Sequence, residues 1–352
     1  MENPFSIAFG MEPIQYIDRV SKTDEIINNF DERSPSNRAY MIMGVRGSGK
    51  TVLLSYLSDH YSQKENWIVV NVSPETDIIN KIAAKLYSVT ELRKLFIKAR
   101  LDLSVFGLGV SIENGNQIFD IEVALERMLL EMDKCGKRVL IAVDEVVNNE
   151  NVKVFASTFQ LLIRQKLPVY LLMTGLYENI NNLQNEKTLT FLYRAPKIIL
   201  EPLSLNAIVR SYSKVFDTDE DIAVYMAQLT KGYPFGYQVL GYLCWKKFNK
   251  KISKEKVNEI IPEYDDYLEN YVYEKIWAEL SEKERSITAI LSEEDSVKIS
   301  VVREKLGLSS GSMSVYRDRL NKKGVVDIST YGRLALKLPR FGEIIRLWTD
   351  EV

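Results

Sequence analysis

The chain has 352 residues, enough for two or three domains with a substantial buried core. Its formal net charge of −2, with 27% charged residues, excludes a globally basic nucleic-acid binder, so any such surface must be local. Two cysteines far apart in sequence, Cys135 and Cys244, exclude a disulfide framework or a zinc site and fit a reducing compartment. No apolar run nears the ~18 residues of a membrane helix. The opening MENPFSIAFG lacks the basic start and long apolar stretch of a signal peptide, so the expectation is a cytoplasmic protein with no membrane contact.

From Ala39 to about Leu200, short apolar runs alternate with helical patterns, as expected for a doubly wound parallel sheet covered on both faces. The strand candidates are AYMIM (39–43), WIVVNV (67–72), VLIAV (139–143), VYLLMT (169–174) and KIIL (197–200). Between them, KTVLLSYLSDHY and FASTFQLLIRQK carry apolar positions three or four apart and read as helices. The single histidine, His60, reads as an ordinary residue near the end of the first of these. LSVFGLGVSIENGNQIFDI (103–121) reads as a hairpin turning at Asn114-Gly115-Asn116.

The first strand runs into MGVRGSGKT. Gly44, Val45, Arg46, Gly47, Ser48, Gly49, Lys50 and Thr51 satisfy G-x-x-x-x-G-K-[ST] at every fixed position, between a predicted strand and a predicted helix. Such a loop wraps a polyphosphate so closely that backbone N–H groups face it, and a Cβ would block the approach. The helix N-terminus adds partial positive charge. Lys50 supplies a full charge to the β and γ phosphates, and Thr51 offers a hydroxyl to Mg²⁺.

RVLIAVDEVV (138–147) supplies a second anchor. Its two acids follow the apolar run at the strand's C-terminal end, where open α/β sheets bind ligands. Asp144 is the candidate for the metal shell, and Glu145 for the general base that polarises an attacking water. VYLLMT ends in Thr174, which reads either as an ordinary strand-end threonine or, in a nucleotidase with an added strand beside the catalytic one, as a residue placed to hydrogen-bond the water or the γ-phosphate. Arg194, in TLTFLYRAPKIIL, reads equally as an arginine finger for a neighbouring subunit, a sensor in its own subunit, or a surface charge.

After Pro202 only helical patterns follow until about residue 275, among them LNAIVRSYSKVF, DEDIAVYMAQL and FGYQVLGYLCWKKF. Residues 281–294, the ISVVREKLGLSS stretch ending its helix at Gly307, and 311–324 read as three more helices, the last capped by Ser310 or Ser312. VVDIST, the turn YGR and LALKLP then form a β-ribbon, giving a winged helix-turn-helix. Between Ile299 and Arg340, nine Lys or Arg stand against three acids. Arg317, Arg319, Lys322, Lys323 and Arg333 are the candidate DNA contacts, with Ser312, Ser314 and Tyr316 available for bases or backbone. The same module also serves in other proteins for docking or dimerisation.

In this order the motifs resemble the archaeal-type group of AAA+ ATPases, kin to origin-recognition initiators and to STAND-like switch ATPases. YIDRVSKTDEII (16–27) is similar to the linker before their first strand, with Asp18 where a glycine is usual. The loop, Asp144-Glu145, Thr174 and FLYRAPKIILEPLS follow, and KGYPFGYQVLGYL is similar to the Gly-x-Pro element of the helical lid, at Gly232 and Pro234. The resemblance implies a P-loop core with N-terminal linker (1–201), a helical lid (202–277) and a winged-helix domain (278–352). It also implies that Pro234 lies near the adenine and that the linker around Pro13 to Tyr16 covers the base from the other side. A lid arginine has no clear match, Lys231 being the nearest basic residue, and this fits slow turnover.

The expected function is an ATP-binding, ATP-hydrolysing switch using ATP/ADP and Mg²⁺, coupled through its winged helix to double-stranded DNA. The alternative is a STAND-like signalling ATPase whose winged helix holds a protein partner, or a second copy of itself, instead.

Overall fold

The computed structural model describes residues 2–8, 13–17, 19–109, 116–186 and 189–350; Asp18 and the turn at Asn114-Gly115 lie outside them. By its internal contacts the chain divides into two units. One comprises residues 20–43 and 50–199, the other residues 1–19, 44–49 and 200–352.

The first unit is built on strands Ala39–Met43, Trp67–Val72, Arg138–Val143, Val169–Gly175 and Lys197–Ile199. All their pairings are parallel, and in space they run second, third, fourth, first, fifth. The fourth strand thus lies between the first and the third. Every residue of the first and fourth strands is buried, which explains their unbroken apolar runs. Side chains alternate between the two faces. Met41, Ile141, Leu171 and Met173 share a core with helices Ile78–Ser88, Ile121–Lys134 and Glu150–Arg164. Tyr40 and Tyr170 instead meet Phe30, and Trp67 packs on Tyr61 and Tyr170.

The hairpin expected over 103–121 is corrected by the structure. Leu101–Asp102 and Asn116–Gln117 pair in parallel, and Ser104–Phe106 form a 3₁₀ turn. The buried Asp102 carboxylate accepts the Ser104 N–H at 3.0 Å and the Ser104 hydroxyl at 2.6 Å, which bends the chain out of the strand after two residues.

The second unit contains helices Leu205–Val215, Glu220–Thr230, Pro234–Phe248 and Lys254–Leu268, packed around Tyr212, Tyr237, Leu240, Ile260 and Tyr264. Phe5 enters the same core, stacked on Phe216 at 5.7 Å, and the Gln15 carbonyl accepts from Gln238 at 2.8 Å. The N-terminal linker is thereby stitched to the helices of this unit.

Helices Glu282–Ser292, Ile299–Leu306 and Ser310–Lys322 follow, the first opened by a capping box between Ser281 and Glu284. Arg333–Leu336 pairs antiparallel with both Val297–Lys298 and Val326–Asp327, completing the winged-helix arrangement. The cap of the third helix is Ser309, which accepts the Ser312 N–H at 3.1 Å, not Ser310 or Ser312 as expected. A final helix, Phe341–Asp350, buries Phe341, Ile344 and Ile345. Among the described residues no helix is long and apolar enough to cross a membrane.

Candidate functional site

In the first unit the third strand stops at Val143, and the chain turns through Asp144 and Glu145. Glu145 has a φ of 52°, the left-handed region that costs a non-glycine residue of order 1–3 kcal/mol unless its surroundings impose it. Thr174, at the tip of the neighbouring fourth strand, imposes it. Its Oγ1 accepts the Glu145 N–H at 3.0 Å, and its carbonyl accepts the Val146 N–H at 2.8 Å. The same hydroxyl donates to Asp144 Oδ1, which also accepts the Glu145 N–H at 3.1 Å. Asp144 Oδ2 in turn accepts the Thr51 hydroxyl at 2.8 Å.

Thr51, Asp144, Thr174 and the Glu145 backbone therefore form one hydrogen-bonded string. Thr174 is fully buried with its hydroxyl engaged on both sides, so in this arrangement it fixes the two acids and does not face outward. Glu145 is exposed, which leaves its carboxylate open to water. Lys50 is 6% exposed and sits next to Thr51 in the first turn of the helix Lys50–Ser62. A hydroxyl and a carboxylate oxygen in contact suit a hard cation with oxygen ligands. Among the described residues no group of three or more His, Cys, Asp or Glu gathers into an all-protein metal site. Such a cation would take its remaining ligands from phosphate and water.

Arg194 ends the short helix Thr190–Arg194, is exposed, and makes no hydrogen bond or ion pair with these acids among the described residues.

The loop Gly44–Gly49 belongs by its contacts to the second unit, and there three successive carbonyls are bonded. The Tyr233 hydroxyl donates to Arg46 O at 2.6 Å, the Phe235 N–H to Gly47 O at 3.1 Å, and Arg19 Nη2 to Ser48 O at 3.0 Å. In a planar trans peptide the C=O and the following N–H point opposite ways. The N–H groups of Gly47 and Gly49 therefore face away from these donors, as a phosphate cradle requires. Gly47 and Gly49 have φ of 70° and 86°, open to glycine at little cost. The Ser48 Oγ is buried and has no hydrogen-bond partner among the described residues, so the loop carries a polar atom that a ligand can satisfy.

Arg19 also donates to the Glu201 carbonyl. Burial lowers its pKa, with Tyr16 and Glu201 opposing. The Arg46 side chain forms an ion pair with Glu279, 2.6 Å from Nη2 and 3.0 Å from Nε, and a Cβ on Gly324 would lie 3.0 Å from Val45 Cβ. Lys231 directs its ammonium to the Leu336 carbonyl, 3.2 Å away. Pro234 is the first residue of the helix Pro234–Phe248, where its missing N–H costs nothing.

Sequence reasoning missed Tyr233, Phe235, Arg19 and Glu279 as partners of the loop. Tyr233 was within reach, because it fills the variable position of the Gly-x-Pro element. Glu279 carries no sequence signal.

The five candidate DNA contacts separate into two kinds. Arg319 and Lys322 are exposed on the helix Ser310–Lys322, although Lys322 pairs with Asp318 at 2.6 Å. Lys323 is turned inward, 2.9 Å from the buried Glu284 carboxylate and 3.1 Å from the Glu279 carbonyl. Arg333 is held by the Ser296 hydroxyl at 2.8 Å and by the Ser296 carbonyl. Arg317 is half-buried, with its Nε enclosed and without a hydrogen-bond partner among the described residues. Ser312 and Ser314 are exposed, and Tyr316 is half-buried.

A model of the mitochondrial ribosomal death-associated protein 3 family matches residues 20–99, and a model of a domain of unknown function matches residues 270–345. No curated protein is similar in sequence. Among solved structures, the Aeropyrum pernix ORC2 protein in its ADPNP-ADP complexes is 13% identical, with 98% of this chain and 97% of that one covered and a TM-score of 0.63. Cdc6p from Pyrobaculum aerophilum is 16% identical over 98% and 96% of the two chains, at a TM-score of 0.47. A STAND protein with a tetratricopeptide repeat sensor from Pyrococcus horikoshii is 17% identical over 97% of this chain and 44% of its own, at 0.43. The ORC2 likeness shows the fold alone: this chain folds as the Aeropyrum pernix ORC2 protein does over nearly its whole length.

Proposed function

We propose that the chain is an ATP-dependent switch that hydrolyses ATP slowly and whose winged helix carries the output to double-stranded DNA. The observation that carries the nucleotide reading is the string from Thr51 through Asp144 and Thr174 to the Glu145 N–H, directly following a loop whose carbonyls are bonded outward. The fold-mate ORC2 was solved with ADPNP and ADP, which supports the same ligand class here. In this reading the loop amides and Lys50 bind the phosphates, Thr51 and Asp144 hold Mg²⁺, and Glu145 takes the proton of the attacking water at its carboxylate. A bound Mg²⁺ supplies charge neutralisation on the phosphate oxygens.

Calorimetry with ATP and Mg²⁺ tests the binding step. Lys50→Ala removes a charge-assisted contact of about 1.5–3 kcal/mol, so ATP should bind roughly ten- to a hundredfold more weakly. Equal affinity in the two proteins would sink the reading.

A specific observation favours a second reading of the output. Of the five basic candidates only Arg319 and Lys322 are exposed, and Val315 is exposed on the same helix, which suits a protein partner. A salt titration of binding to random duplex separates the two. DNA binding falls steeply with salt, whereas negligible binding at low salt would leave the protein-docking reading.

A further inference from the structure

The Gly-x-Pro element has its weight placed by the sequence on Gly232 and Pro234, yet the side chain that touches the phosphate loop is the one between them. Tyr233 is 4% exposed. Its position is fixed from both sides along the chain. Its N–H donates to Thr230 O at 2.8 Å, and Pro234 after it starts a helix. Gly232, with φ of 76°, lies so close to Leu203 that the Leu203 N–H donates to its carbonyl at 2.7 Å. The ring packs near Tyr273, with centroids 6.4 Å apart. From this rigid seat the hydroxyl reaches Arg46 O at 2.6 Å.

The ring also explains why position 47 is a glycine. A Cβ there would fall 2.8 Å from Tyr233 Cζ and 2.9 Å from Phe235 Cβ, so the space a side chain needs is filled by the helical element. The Phe235 N–H and the Arg19 guanidinium bond the next two carbonyls.

We propose that Tyr233 is a positioning residue for polyphosphate binding: by holding the Arg46 carbonyl it turns the Gly47 N–H toward the ligand. Phe235 and Arg19 continue the same task along the loop. The inference rests on the nucleotide reading given above and adds to it a residue that acts through the loop backbone, without touching the nucleotide.

The test is Tyr233→Phe in the full chain, which removes one oxygen and keeps the ring. Affinities for ATP, ADP and AMP are measured by calorimetry with Mg²⁺, alongside wild type and Lys50→Ala. Loss of one neutral hydrogen bond at the loop should weaken ATP and ADP about fivefold. AMP, which lacks the β and γ phosphates, should stay within about twofold. A uniform loss for all three nucleotides, or ATP affinity equal to wild type, would overturn the proposal. If wild type showed no Lys50-dependent ATP binding, the nucleotide reading would fall and this inference with it. Lys50-dependent binding with an unaltered Tyr233→Phe protein would overturn the inference alone. Arg19→Lys, which keeps the charge but loses the forked donor, gives a second variant. It should show the same dependence on phosphate number, and a uniform loss there would also count against the proposal.

Discussion

The string of polar groups at the ends of the third and fourth strands and the basic helix Ser310–Lys322 were both read from residue types at particular spacings, and the structure treats them differently. At the strand ends the polar groups are turned toward one another, Thr51 to Asp144, Asp144 to Thr174 and Thr174 to the Glu145 backbone, and the Glu145 carboxylate alone of these faces water. In the winged helix, Lys323 and Arg333 are drawn inward to Glu284 and Ser296, leaving Arg319 and Lys322 exposed. A motif fixed to strand ends specifies directions, because adjacent parallel strands bring their C-terminal residues side by side. A run of charge specifies only an amount, and a long flexible side chain goes to whichever partner the fold offers.

The contrast breaks first at Glu145. With its N–H held by Thr174 and Asp144, Glu145→Gln should leave the turn intact, bind ATP within about twofold of wild type, and slow single-turnover hydrolysis by about 10²–10⁴. An unchanged rate would show that the exposed carboxylate takes no part, and the string would then be a structural device like the Lys323 pair.

Lys323 provides the opposite check. Its partner Glu284 is 2% exposed. Burial opposes the charge on Glu284, but the Ser281 N–H and the Lys323 ammonium overcome that penalty and its pKa is lowered. Lys323→Met leaves that carboxylate short of a cation, at a cost of about 3 kcal/mol in stability near neutral pH. A carboxyl with a lowered folded pKa adds stability above its unfolded pKa and loses it as pH falls through the folded value. The gap between the two proteins in urea melts should therefore narrow from about pH 4 downward. A variant as stable as wild type at pH 7 would mean that Lys323 is free for a partner after all.

These two cases show what the sequence discloses and what it withholds. The strands at 39–43, 139–143 and 169–174 were legible because burial on both faces demands unbroken apolar runs, ended by Gly44, Asp144 and Gly175, while 67–72 showed through its β-branched run although Asn71 is exposed. Asp144, Glu145 and Thr174 could be placed together because strand ends meet in a parallel sheet. Arg19 could not be assigned to the loop, since a backbone carbonyl leaves no mark in the sequence of its donor, and Tyr233 was marked only by its place within the Gly-x-Pro element. The hairpin near residue 103 failed for a local reason: alternation of β-prone residues outweighed Asp102, whose side chain captures Ser104 and ends the strand. The ion pair of Arg46 with Glu279 joins residues 233 apart and is invisible at that distance.

The smallest expected effect lies on the exposed face of the basic helix, and it decides between the two proposed outputs. If Arg319 contacts phosphate, Arg319→Ala should lower the slope of log K against log salt by about 1 and weaken binding to all duplex sequences alike. Arg333→Ala should instead leave that slope unchanged, because its guanidinium is occupied by Ser296, and should loosen the ribbon at Ser296 and Lys298. Lys322 gives an intermediate case, since its exposed pair with Asp318 holds it by no more than about 1 kcal/mol and phosphate can displace it. Fluorescence anisotropy on a short random duplex across a range of salt concentrations reads all three slopes. Slopes that fall for Arg319 and Lys322 but not for Arg333 would tie DNA to this face, whereas three equal slopes would detach the charge from any contact and leave Val315 and its neighbours as the surface a protein partner covers.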